Sequence, residues 1–129
     1  MKRSITALIA GTLLALVASA LPAVSHAASF DCAKAASFVE KAICSNATLS
    51  RLDDALSENY SSMRAANIGD GARKHLQASQ KKWLAERNRC ADEKCVASAY
   101  RKRIDEICEY PVVSGVHPGC ISPDEPLSR

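Results

Sequence analysis

The sequence predicts an all-α fold: a small disulfide-stapled bundle of three to four antiparallel helices with a Pro/Gly-rich C-terminal tail. Three observations predict it. Apolar residues recur at steps of three and four, six cysteines occur in a short chain, and prolines and glycines cluster after residue 110. At 129 residues the chain has room for a single small domain.

Residues 1–27 read as a secretory signal peptide. Lys2 and Arg3 precede the apolar run Ile5 to Val17, and Ser25 and Ala27 supply the small residues expected at −3 and −1 of a cleavage site after Ala27. The protein is therefore expected to be exported, periplasmic or secreted. No membrane anchor is expected, because nothing after Ala27 approaches the roughly 20 apolar residues that span a bilayer. Removing Lys2 and Arg3 lowers the formal charge from +3 to +1, so no strong field draws the protein to nucleic acid or anionic lipid.

Export delivers Cys32, Cys44, Cys90, Cys95, Cys108 and Cys120 to an oxidising compartment, where an even set normally pairs. Sequence alone does not choose a connectivity, but short spacings favour neighbours: Cys32 with Cys44, Cys90 with Cys95 and Cys108 with Cys120. Zinc ligation and redox catalysis compete with this reading and fit less well. Cys90 and Cys95 are spaced too widely for a thioredoxin-type pair, and only His75 and His117 remain to complete a metal shell. No metal and no cofactor are expected.

The first helix starts at a capping box, Ser37 with Glu40, and runs to Cys44 carrying Phe38, Val39 and Ile43. Thr48 is the expected cap of a second helix whose stripe is Leu49, Leu52, Leu56, Tyr60 and Met63, ended by Asn67, Gly69 and Gly71. A third helix, about Gly71 to Asn88, presents Leu76, Gln80, Trp83, Leu84 and Arg87. Gln80 and Arg87 interrupt that apolar face and need partners. Arg87 is expected to lay its stem over Trp83 or Leu84 and to pair with Asp53, Asp54 or Glu58. The fourth helix takes Asp92 and Glu93 in its first turn, runs to about Tyr110, and buries Val96, Tyr100, Ile104 and Ile107. Arg101, Lys102 and Arg103 are expected to form a solvated surface. Residues 28–110 thus form the helical domain, and residues 111–129 an irregular tail that a Cys108–Cys120 bridge would tether.

Two separated blocks of residues resemble a known family. Phe30 to Ala36, then Val39 to Cys44 with Leu49, Leu52 and Asp53, match the start of the lysozyme inhibitor LprI-like N-terminal domain, formerly a domain of unknown function. Gln80, Trp83, Leu84, Arg87 and Cys90, with Cys95, Tyr100, Arg103 and Ile104, match its second half. The resemblance covers Phe30 to about Ile107. It implies an exported helical domain in which some members inhibit lysozyme, and in which Gln80, Trp83, Arg87 and Tyr100 are fold determinants. Four of the cysteines belong to the family pattern; Cys108 and Cys120 fall at and beyond its edge, which implies that they pair with each other.

The residues themselves offer no catalytic constellation. His75 lies in a charged helical stretch and His117 in the tail, both expected in solvent, so a serine triad has no support beyond composition. Adjacent acids occur at Asp53-Asp54, Asp92-Glu93, Asp105-Glu106 and Asp124-Glu125, but helical neighbours point about 100° apart, which suits capping and surface ion pairs better than paired-carboxylate chemistry. The expectation is a monomeric binding module, not an enzyme, that occludes the cleft of a lysozyme. The alternative is an envelope or stress protein that binds another partner without inhibiting it. The exposed turns Ala91 to Lys94 and Asn67 to Asp70 are the first candidates for contact, although a charge of +1 gives no global attraction to a basic enzyme.

Overall fold

A computed structural model describes residues 28–124. The leader reading of residues 1–27 and the acid Glu125 lie outside the described residues. Among the described residues there are four α-helices, α1 (Phe38–Ser45), α2 (Ala47–Ala65), α3 (Asp70–Arg87) and α4 (Glu93–Cys108), preceded by one 3-10 turn at Cys32–Lys34.

Each helix end has a local chemical cause. Ser37 Oγ accepts from the Glu40 N–H and the Glu40 carboxylate accepts from the Ser37 N–H, so the capping box forms at α1. Asn46, not Thr48, caps α2: its Oδ1 accepts from the Thr48 and Leu49 N–H groups at 2.9 and 3.2 Å. The same residue ends α1 by donating its own N–H to Ala42 O, leaving one residue between two helices and no room for a cap two positions later. Gly69, at φ +80°, enters α3 in a backbone conformation that side chains resist. Asp92 caps α4 by accepting from the Cys95 N–H. That helix stops at Cys108, short of Tyr110, because Pro111 disfavours helical angles in the residue before it.

The helices meet around one core. Ile43 from α1, Leu49, Leu52, Leu56 and Met63 from α2, Leu76 from α3, and Val96, Tyr100, Ile104 and Ile107 from α4 are all essentially inaccessible. Each such side chain contributes about 1.5–3 kcal/mol by leaving water. α2 packs chiefly on α4, whereas α3 touches α4 less intimately and leaves a cleft between them. Leu84, expected on the inward face of α3, is instead 36% exposed.

Three disulfides, Cys32–Cys44, Cys90–Cys95 and Cys108–Cys120, bracket this arrangement, with no free cysteine among the described residues. They tie the N-terminal turn to α1, close the α3–α4 reversal, and return the tail to the end of α4. A bridge of this kind typically stabilises a domain by about 2–4 kcal/mol, a large fraction of a small domain's total.

Candidate functional site

Trp83 of α3 is the centre from which the polar residues can be ordered. Its ring meets Tyr100 of α4 edge-on, with centroids 5.1 Å apart, and its indole N–H donates to Ala99 O at 3.2 Å. One helical turn along, Arg87 lies over the same ring, its guanidinium carbon 5.4 Å from the centroid.

From there a chain of hydrogen bonds runs inward. Arg87 Nη1 donates to the Tyr100 hydroxyl at 2.7 Å, and that hydroxyl donates to Asp53 Oδ1 at 2.7 Å. The second Asp53 oxygen accepts from the Ser29 N–H at 2.7 Å. Arg87 therefore reaches Asp53 through a tyrosine, and not by the direct pairing that its stripe position suggested; Tyr100, projecting from α4, occupies the space between them. Burial first, and the Asp53 charge second, push the Tyr100 phenol far above its ordinary value, so it stays a donor. Asp53 is 5% exposed, a buried acceptor and not one of the surface acids its neighbour Asp54 suggested.

A second network lies on the other side of Trp83. Arg103 is buried, at 6% exposure, which corrects the expectation that it belongs with Arg101 and Lys102 in a solvated face. Its guanidinium donates to Gln80 Oε1 at 3.0 Å, to Ser79 Oγ at 2.9 Å and to Glu106 Oε2 at 3.0 Å. The signal for it was Gln80, a polar residue on an apolar face that required a buried partner. Arg101 and Lys102 do face outward, Arg101 pairing with Asp124 and Lys102 lying 3.9 Å from Glu106.

Trp83 and Arg87 form the wall between two shallow clefts. One, about 380 Å³, opens between α3 and α4 beside Arg103 and the Cys90–Cys95 bridge. The other, about 390 Å³, lies beside Phe30, Asp53 and Tyr60. Every polar atom deep in either wall already has a partner in the protein: among the described residues no buried side-chain nitrogen or oxygen lacks one. No three His, Cys, Asp or Glu side chains there are arranged to hold a metal ion.

The histidines and exposed turns take up structural contacts. His75 lies 3.2 Å from the Tyr110 hydroxyl. His117 is not free in solvent: its ring nitrogens lie 2.9 Å from Pro118 O and 3.0 Å from Tyr110 O. In the turn Ala91 to Lys94, Asp92 is occupied as a cap and Glu93 accepts from the Asn46 side chain at 2.8 Å. The turn Asn67 to Asp70 adjoins the tail, where Asn67 O accepts the Val113 N–H.

The fold and this site define a small disulfide-bonded all-α module whose polar residues are turned into its own framework. The model of the lysozyme inhibitor LprI family matches residues 32–110, more than half of the chain, and the protein belongs to that family. Gln80, Trp83, Arg87 and Tyr100 all fall within the matched segment, while the tail lies beyond it. No curated protein and no solved structure matches the chain. No described helix is long and apolar enough to cross a membrane.

Proposed function

We propose that the protein is an exported, monomeric inhibitor that blocks a lysozyme by covering its substrate cleft and performs no chemistry of its own. Membership of the lysozyme inhibitor LprI family carries this reading. The geometry supports it: cross-links and satisfied buried networks hold the surface in one shape, which reduces the ordering cost of association. With a processed charge of +1 the affinity has to come from local fit and not from long-range attraction.

The test is a turbidity assay of lysozyme acting on bacterial cell walls with purified, oxidised protein. The reading predicts slowed clearing at micromolar inhibitor, overcome by excess wall substrate. Unchanged clearing rates would leave the alternative, a module that binds an envelope partner without inhibition.

A further inference from the structure

Within the described residues, the tail after α4 is anchored at both ends. Asn59, 3% exposed in α2, clamps its far end: its side-chain amide donates to Ile121 O at 2.8 Å, and its Oδ1 accepts from the Ile121 N–H at 2.9 Å. The Cys108–Cys120 bridge holds the same end covalently. At the near end Tyr110 packs against the core and donates its hydroxyl to Ala72 O at 3.0 Å. Between these anchors, the Val113 N–H donates to Asn67 O at 2.9 Å and the Asn67 amide donates to Ser114 Oγ at 2.7 Å. His117 bridges the two flanks, its ring nitrogens lying 3.0 Å from Tyr110 O and 2.9 Å from Pro118 O.

What this scaffold holds up is apolar. Val116 is 95% exposed and Val113 71%, the two most exposed large apolar side chains among the described residues. They flank Ser114 and Gly115, the latter at φ +90°, a turn conformation that glycine takes without strain. Isolated surface valines are ordinary, but two on one pinned turn form a convex, preorganised contact. From Pro111 to Pro118 the loop carries no Asp, Glu, Lys or Arg.

We propose that this loop, with the turn Asn67 to Asp70 as its floor, is the surface that enters the cleft of the lysozyme. The inference rests on the inhibitory reading above. Three features favour a glycosidase cleft as the occupant. Such a cleft is concave and lined largely by apolar and aromatic groups, which a convex pair of valines complements. It contains two catalytic carboxylates that an acidic tip would meet with repulsion; the loop from Pro111 to Pro118 has none, and the acid of the surface, Asp70, belongs to the floor. The absence of Lys and Arg on the loop likewise avoids repulsion by a basic enzyme. Because the loop follows residue 110, it supplies this chain with a contact outside the segment that defines the family, seated on a turn that lies inside it.

The decisive comparison uses the full oxidised protein and its Val116→Asp variant in the cell-wall assay, with Phe38→Asp as control because Phe38 is exposed on α1, outside the loop. Val116→Asp raises the concentration for half-inhibition at least about tenfold, the size of a lost hot-spot side chain, at unchanged melting temperature. Phe38→Asp inhibits like the parent. An inhibiting parent with an equally potent Val116→Asp variant overturns the loop assignment and leaves the inhibitory reading standing. A parent that does not inhibit overturns both. Sedimentation showing that Val116→Asp dissolves a dimer also overturns the assignment, since the loop would then be covered by a second copy.

Discussion

The helical framework and the tail loop use hydrogen bonds in opposite ways. In the framework, charged side chains point inward: Arg87 is held by Tyr100 and Asn88, Arg103 by Gln80, Ser79 and Glu106, and Asp53 by Tyr100 and Ser29. In the loop it is chiefly the backbone that is held, by Asn59, Asn67 and His117, while apolar side chains are left in water. The contrast teaches that a concentration of charged and aromatic side chains is a poor guide to what the molecule turns outward. The most chemically conspicuous residues, Trp83 with its two arginines, serve the fold, and the plainest residues, two valines, are the ones offered outward.

Substitutions can break that contrast, beginning with the largest effect. Asp53→Ala leaves the Tyr100 hydroxyl without its acceptor and the Ser29 N–H unpaired, and removes the carboxylate at the end of the hydrogen-bond path from Arg87; loss of a buried charged partner costs about 3–5 kcal/mol, read by urea unfolding. Replacing Cys108 and Cys120 together by Ser removes up to about 2–4 kcal/mol and raises amide exchange in residues 111–121 while leaving α1 to α4 protected. That variant also inhibits less, because the loop must then be ordered on binding.

Arg103 and Arg101 sharpen the comparison on one helix. Arg103→Ala takes the donor from Gln80 Oε1 and from Ser79 Oγ and costs about 1–3 kcal/mol, whereas Arg101→Ala removes an exposed ion pair and costs less than about 1 kcal/mol in the same measurement. The smallest effect is an acid one. The Ser37 and Ala36 N–H groups, with the Arg87 charge adding to them, hold the Glu40 carboxyl below its usual range. A depressed carboxyl favours the fold above its unfolded value and loses that contribution as pH falls through the folded one. Acid therefore increases fraying of α1, followed by amide exchange, and this pH dependence is absent in Glu40→Gln, which lacks the stabilising carboxylate at every pH.

Much of this was legible in residue order. The period of Leu49, Leu52, Leu56 and Met63 and of Val96, Tyr100, Ile104 and Ile107 placed two helices and most of the core, because burial of one face is what periodicity records. Helix ends were less legible where one residue serves two helices: Thr48 was the expected cap of α2, but Asn46 both ends α1 and caps α2. The polar partners were legible as needs, not as pairings. Gln80 and Arg87 announced that something must satisfy them, but whether Arg103 turns inward, or Tyr100 stands between Arg87 and Asp53, depends on how α3 sits against α4. Least legible was the loop, where Pro and Gly signalled only that no helix continues, and the pins come from Asn59 and Asn67, far away in sequence.

The account is tested most directly by hydrogen exchange of the oxidised protein with and without saturating lysozyme. It predicts new protection confined to residues 67–70 and 112–117, with the amides around Trp83, Arg87 and Tyr100 exchanging as in the free protein. Protection centred on the cleft between α3 and α4, with residues 112–117 unchanged, would contradict it.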